Sequence, residues 1–311
     1  MKEDEDRTAS LLTPAKLAQL ASKPKAPANP SDWLDKMATD AGHSHVRRLA
    51  ELRADLQVQA AKRDFAPLAS DLEAVAAALP QLDFGLLQNK GGLLSRLSGK
   101  TKSAVVEFAG QYDRVEAALD ELARQGKLLQ GRHGEQSSTT DKTLVEFEVE
   151  MGAIGKIIDQ GARWLQDMRD VLKAREAQAG DEEAKMQVRG DVQRCELLVA
   201  RLKLLRTLST AAQESHQQAQ AAALRRAGIV QKLQGTVSAR VKEWRSRVEP
   251  LANAARDGDS PGLSLGAPMD CHRELQLAIK DAAADCAQLQ SHEKSLAQSL
   301  DALAAPLQDA G

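Results

Sequence analysis

Large apolar residues recur in steps of three and four along several stretches of this 311-residue chain. That spacing places them on one stripe of a helix, close to the period of about 3.5 residues shown by helices that pack along their length. The first stretch contains Val105, Phe108, Tyr112, Val115, Leu119, Leu122 and Leu129. The second contains Leu144, Phe147, Met151, Ile154, Ile158, Leu165, Met168 and Leu172, and the third contains Val230, Leu233, Val237, Val241, Trp244, Val248 and Leu251.

The composition favours helices over sheets. Hydrophobic residues make up 42% of the chain but aromatic residues only 3%, because Ala and Leu supply most of the hydrophobic share. Ala, Leu, Gln, Glu, Lys and Arg are strong helix formers, whereas strands are enriched in aromatic and β-branched residues. We therefore predict an all-α fold, an elongated bundle of long antiparallel helices with coiled-coil-like packing. Such a bundle offers no obvious catalytic pocket, which favours contact over chemistry as its function.

Shifts in composition divide the chain into segments. We expect a flexible N-terminal tail and Pro-rich linker over residues 1–30, N-terminal helices and a connector over 31–92, a long-helix coiled-coil core over 93–255, a loop over 256–269 and a C-terminal helix over 270–311. Apolar residues of the connector should fold back onto the bundle, namely Leu82, Phe84, Leu86 and Leu87. The C-terminal helix should bury Leu275, Ile279, Ala282, Cys286, Leu289, Leu296, Leu300 and Leu303.

Two features of the core segment follow from the spacing of apolar residues within it: a polar stretch in the first long helix, and the inward face of the next helix. Gly131–Thr140 contains no apolar residue, so it could be a hairpin loop or a polar stretch of one continuous helix. Because a Gly costs only about 1 kcal/mol relative to Ala within a helix, at least partial continuity is favoured. The next helix should run from about Glu182 to Ala252, and its first half should bury Val192, Cys195, Val199, Leu202 and Leu205.

Charge and cysteine content bear on partners and compartment. The 42 basic and 44 acidic residues are interspersed and give a formal charge of -2, so no field that favours nucleic acid is expected. Three widely spaced cysteines argue for a reducing compartment. The acidic N-terminus does not resemble a signal peptide, and no run of about 18 apolar residues that could span a membrane is present. We expect a cytoplasmic protein, with its protein partner, a peripheral membrane contact and a homo-oligomeric state left open.

The motifs predict no catalytic, cofactor or metal site. Residues 92–101 end in Gly-Lys-Thr, but six residues separate Gly92 from Gly99, whereas a phosphate-binding loop has about four. The six histidines are scattered without the spacing of a zinc site. Ser/His/Asp arrangements and paired carboxylates do not stand out from the helix-surface charges. We therefore predict that the chain is not an enzyme.

The cysteines have two readings. Cys195 and Cys286 lie on apolar stripes, where a thiol usually behaves as a small hydrophobe. Cys271 lies at the start of a predicted helix, whose N-terminus could lower the pKa of the thiol. A thiol-based, oxyanion-reducing enzyme is the least favoured hypothesis, because no two cysteines are close in sequence.

One basic stretch is a candidate membrane or partner surface. Arg240, Lys242 and Arg245 flank Trp244, and a basic face beside an aromatic anchor is typical of helices that bind anionic lipid. Trp244 also lies on the third apolar stripe, and this spacing favours a position in the core. The candidate surface consists of Arg240, Lys242, Trp244 and Arg245.

Four segments resemble the TelA family of toxic-anion (tellurite) resistance proteins. They read GLLSRLSGKTKSAVVEFAGQYDRVEAALDEL at 92–122, IIDQGARWLQDM at 157–168, VQRCELLVARLKLLRTLSTAAQES at 192–215 and IVQKLQGTVSARVKEWRSRV at 229–248. The resemblance implies a cytoplasmic protein of toxic-anion or envelope stress resistance that acts through protein contacts, and it carries over no catalytic residue. The alternative is a coiled-coil scaffold or peripheral membrane-stress protein unrelated to tellurite.

Overall fold

Every regular element of the computed structural model is a helix over the residues that it describes, which are 40–88, 100–257 and 264–311. The α-helices are α1 (His43–Ala61), α2 (Ala66–Ala78), α3 (Lys100–Gln178), α4 (Glu182–Lys232), α5 (Ser238–Arg256), α6 (Gly266–Ala302) and α7 (Ala304–Asp309). Two 3₁₀ turns, Leu79–Gln81 and Phe84–Leu87, follow α2, and a π-helical segment, Leu233–Val237, joins α4 to α5. The predicted all-α bundle is confirmed.

The described residues form two compact units. Residues 40–43 and 156–205 form the first unit, in which the end of α3 and the start of α4 make a helical hairpin closed by the turn at 179–181. Residues 44–88, 100–155, 206–257 and 264–311 form the second unit. Below, they are called the hairpin unit and the bundle unit.

Helices of the bundle unit pack antiparallel, as their cross-helix contacts show. On α1 and α3, His45 contacts Glu150 at 2.6 Å, and later in α1 Gln59 donates to the earlier Thr143 at 2.9 Å. The connector folds back as predicted, because Leu82, Phe84 and Leu87 are buried in the core shared by α2, α3, α5 and α6. The predicted inward face of the C-terminal helix is also confirmed, since all eight of its expected core residues are buried.

The stretch Gly131–Thr140 is helical throughout, so the continuous alternative is confirmed and the hairpin loop is wrong. Polar contacts from the end of α1 compensate for the missing apolar residues. The Arg63 guanidinium donates to the Gln136 carbonyl at 2.7 Å and also to the Thr140 hydroxyl. The helix therefore continues through a polar layer rather than ending there.

Gly131 and Gly134 are unnecessary to the continuous helix. A Cβ at either position would meet no atom within 4 Å, so replacing both by Ala should raise the free energy of unfolding by about 1–2 kcal/mol in thermal or urea unfolding. Gly161 is the matched control, because its Cβ would lie 2.8 Å from Leu202 Cδ1 and packing strain would offset the gain. Destabilisation by the Gly131→Ala/Gly134→Ala pair would contradict the continuous helix.

The predicted inward face of the first half of α4 is partly wrong. Leu202 and Leu205 are buried as expected, but Val192 is 39% exposed and Val199 is 38% exposed. The hairpin instead buries Val188 and Leu198. This part of α4 carries apolar residues on two stripes. The stripe that contains Leu202 packs against α3, because Gly161 has no side chain and leaves space for Leu202.

Candidate functional site

A cleft of about 480 Å³ opens in the bundle unit between α3 and the π-helical segment with the start of α5. We call it the basic cleft. Its floor is apolar and consists of the buried residues Leu119, Leu122, Leu233, Val237 and Val241. Its rim carries the cationic side chains of Lys127, Lys242 and Arg245.

Local features of both walls keep the cleft open. On α3, Gly126 lacks a side chain, and a Cβ there would meet no atom within 4 Å. Opposite it, the α-helical pattern predicted through Ala252 gives way to the π-helical Leu233–Val237, which places Leu233 and Val237 in the floor. Single-turn π segments that interrupt α-helices are frequently found at functional sites.

The electrostatics of the basic cleft are one-sided. No Asp or Glu is among the lining residues. Arg245 is partly neutralised, because its guanidinium lies 2.8 Å from Glu116 Oε1 and 2.5 Å from Asp120 Oδ1. Within the described part of the chain, neither Lys127 nor Lys242 belongs to an ion pair. Two ammonium groups therefore stand over an apolar floor without counter-charges.

The structure separates the four residues of the predicted surface. Lys242 and Arg245 line the cleft. Arg240 pairs with Glu243 at 3.0 Å and Glu274 at 2.5 Å and does not line it. Trp244 is fully buried. The prediction that it belongs to a membrane or partner surface is therefore wrong, and the core position favoured by its spacing is confirmed.

Trp244 is the centre of an aromatic cluster in the core. Its ring stacks on Tyr112 with centroids 5.2 Å apart and an interplanar angle of 10°. Its indole Nε1 donates to His272 Nδ1 at 3.1 Å, and this bond requires the Nδ1 atom to be unprotonated. Phe84 closes the cluster with its ring edge against His272, at a centroid distance of 5.3 Å. The cluster holds α5 in place, and α5 positions Lys242 and Arg245.

His272 should make the stability of this core depend on pH. Burial lowers the pKa of His272 from 6.5, and hydrogen bonding to the Leu79 backbone opposes this only in part. A histidine with a lowered folded-state pKa stabilises the fold fully above the unfolded-state pKa, and this contribution is lost as the pH falls from there through the folded-state pKa. The free energy of unfolding in urea should therefore drop below about pH 6.5, and less so in His272→Gln. An equal drop in both proteins would contradict this role.

Burial determines the protonation of all three thiols. The alternative reading of Cys271, a pKa lowered by a helix N-terminus, is wrong, because burial raises the pKa of this thiol, which donates to the Pro268 carbonyl at 3.2 Å. Burial also raises the pKa of Cys286 and of the half-buried Cys195. All three cysteines are free thiols.

The described residues contain neither a cluster of metal-ligating side chains nor a helix that could span a membrane. No three His, Cys, Asp or Glu side chains in residues 40–88, 100–257 and 264–311 converge as metal ligands would. In the same ranges, no helix combines the length and apolarity needed to cross a bilayer. The segment resembling a phosphate-binding loop, 92–101, lies almost entirely outside the described residues.

Sequence reasoning found half of this site. It identified Lys242 and Arg245 from the basic stretch, but it missed Lys127 and the π-helical segment. The signal near Lys127 was a gap in the α3 stripe, where Gly126 falls between Leu122 and Leu129. Lys127 lines the same cleft as Lys242 only because α3 packs against α5, and this packing cannot be inferred from local spacing.

Comparison of the chain with protein-family models, curated proteins and solved structures finds no match. The resemblance to the TelA family therefore rests on the four sequence segments alone.

Proposed function

We propose that this chain is a non-enzymatic, cytoplasmic helical protein that acts through protein contacts, and that its basic cleft binds an acidic amphipathic helix of a partner. One observation carries the proposal: an apolar floor lies beneath a rim with two lysines outside any described ion pair and no carboxylate. Amphipathic helices bind in such grooves through apolar residues spaced three and four apart. Acidic residues flanking that stripe would meet Lys127 and Lys242, which favours this class of partner.

The setting we propose is toxic-anion (tellurite) or envelope stress resistance, and the TelA resemblance supports it. A scaffold unrelated to tellurite is the alternative. The burial of Trp244 disfavours the peripheral-membrane form of that alternative, because it removes the aromatic anchor. Normal tellurite tolerance in a deletion strain would remove the resistance setting and leave the cleft proposal standing.

The cleft proposal is tested by fluorescence anisotropy with a labelled synthetic helix that has Leu at steps of three and four and Glu on both flanks. We expect the full chain to bind this peptide and to bind the same peptide with Lys in place of Glu at least about tenfold more weakly. Lys127→Glu/Lys242→Glu should weaken binding of the acidic peptide by a similar factor. Lys142→Glu/Lys294→Glu, with the same change of charge on exposed positions outside the cleft, should not.

Filling the cleft gives a second test that leaves its charge unchanged. Gly126→Phe places a ring in the open space above the floor and should abolish peptide binding without unfolding the protein. Binding that survives both Gly126→Phe and the double lysine variant would overturn the proposal. Vesicles of phosphatidylglycerol form the other arm, and binding to them in place of the peptide would favour the membrane alternative.

A further inference from the structure

A small polar cavity lies in the bundle unit, where the segment that links α1 to α2 meets α3 and α4. We call it the arginine pocket. It has a volume of about 20 Å³, and a water molecule needs about 10–15 Å³, so the pocket has space for one small molecule or ion. Its lining contains two guanidinium groups and no carboxylate, and includes Arg63, Phe65, Ser137, Thr140, Ala223 and Arg226.

Arg226 contributes hydrogen-bond donors that the protein leaves free. Its side chain is almost completely buried, and Glu293 accepts from Nε at 2.5 Å and from Nη2 at 2.6 Å. Within residues 40–88, 100–257 and 264–311, the Nη1 atom of Arg226 has no hydrogen-bond partner. Because Arg226 lines the arginine pocket, the two N–H groups of Nη1 are available to a ligand held there.

Arg63 contributes further free donors and a second positive charge. Both of its hydrogen bonds within the described part of the chain come from Nη2, one to the Gln136 carbonyl at 2.7 Å and one to the Thr140 hydroxyl. Its Nε and Nη1 atoms therefore have no partner among these residues. The carboxylates of Glu293 and Asp141 act on Arg63 only from a distance, since neither forms an ion pair with it.

We infer that the arginine pocket binds a small inorganic monoanion of the size of chloride or bromide. The two guanidinium groups and the one carboxylate of Glu293 leave one positive charge without a counter-charge, and a monoanion in the pocket would neutralise it. Hydrogen bonds from guanidinium groups to an anion are charge-assisted and therefore strong. A cavity that admits one small sphere excludes polyatomic anions such as sulfate.

A bound anion would connect three parts of the bundle unit. Arg63 follows α1, Ser137 belongs to the polar stretch of α3, and Arg226 belongs to α4. The anion would accept hydrogen bonds from these elements in the layer where α3 has no apolar residue to bury. The inference does not depend on the proposed function, because the arginine pocket shares no lining residue with the basic cleft.

Chlorine NMR of the full chain in sodium chloride tests the site, since exchange of chloride with a protein site broadens the signal of the free ion. We expect such broadening, and we expect bromide to remove it by competition, whereas sulfate at the same ionic strength should not. Arg63→Gln should reduce the broadening by at least about threefold, because it removes one cation and the charge-assisted donors. The control Arg114→Gln removes an exposed arginine of α3 and should leave most of it.

Two further variants distinguish an anion site from a loss of local structure. Ala223→Val fills the cavity while keeping both arginines, and it should also remove the broadening. Glu293→Gln adds one net positive charge beside the pocket and should tighten chloride binding by at least about threefold. Absence of broadening with the original chain would show that the pocket holds water, and unchanged broadening in both Arg63→Gln and Ala223→Val would show that chloride associates only with surface charges. Either result, or weaker binding in Glu293→Gln, would overturn the inference.

Discussion

Replacing Glu293 with Ala should lower the free energy of unfolding by about 3–5 kcal/mol, because it strands a buried cation. Arg226 is only 4% exposed and is held by Glu293 in a fork of two bonds, Nε to Oε1 at 2.5 Å and Nη2 to Oε2 at 2.6 Å. Arg63 lies nearby, and burial together with the charge of Arg226 lowers the pKa of Arg63 to about 10. Without Glu293, the buried Arg226 guanidinium loses its counter-charge and keeps the nearby positive charge of Arg63. Urea unfolding followed by circular dichroism at about 222 nm measures the loss, since helix content dominates that signal.

The double variant Arg226→Met/Glu293→Leu distinguishes two causes of destabilisation: a buried charge left without its partner, and the loss of a favourable contact. Apolar residues of similar volume often replace buried ion pairs at no cost, so this variant should regain most of the stability lost by Glu293→Ala. Glu274→Ala is the matched control, because its pair with Arg240 is largely exposed and should cost at most about 1 kcal/mol. A loss below about 1 kcal/mol in Glu293→Ala would show that Arg226 reaches water without its partner.

The periodicity of apolar residues predicted the fold well where a helix has one apolar stripe. The C-terminal helix is such a case, and its stripe from Leu275 to Leu303 is buried as expected. The first half of α4 has two stripes, and spacing alone could not choose between them. The choice is made in three dimensions, because Gly161 on α3 leaves room for Leu202 and the other stripe is left exposed.

The polar stretch of α3 and the basic cleft both depend on contacts between residues that are distant in sequence, which local spacing does not predict. Continuity through Gly131–Thr140 depends on Arg63, which comes from α1 and donates to the Gln136 carbonyl. The cleft depends on Lys127 and Lys242, which are distant in sequence and line one cleft only because α3 packs against α5. The local sequence pattern predicts which residues lie on each face of a helix. The packing of the helices determines which of these residues come together in the fold.

Trp244→Ala should lower the free energy of unfolding by about 3–5 kcal/mol, the range for truncating a large buried aromatic residue. The variant removes the stack on Tyr112 and leaves His272 Nδ1 without its donor. Trp244→Phe should cost less, because it keeps an aromatic ring against Tyr112 and loses the indole donor. Urea unfolding of the three proteins measures both effects.

Tyr112 provides a readout that distinguishes loss of the aromatic cluster from general destabilisation. It is the single tyrosine of the chain, so the absorbance change on phenol ionisation reports it alone. Burial, with the nearby carboxylates of Glu116 and Glu249, raises the pKa of Tyr112 to about 12. In folded Trp244→Ala the phenol loses its covering ring, so its pKa should fall towards the ordinary value of about 10. An equally destabilised variant outside the cluster, such as Leu300→Ala on α6, should leave the phenol titration unchanged, and a shift there would mean that Trp244 does not shield Tyr112 specifically.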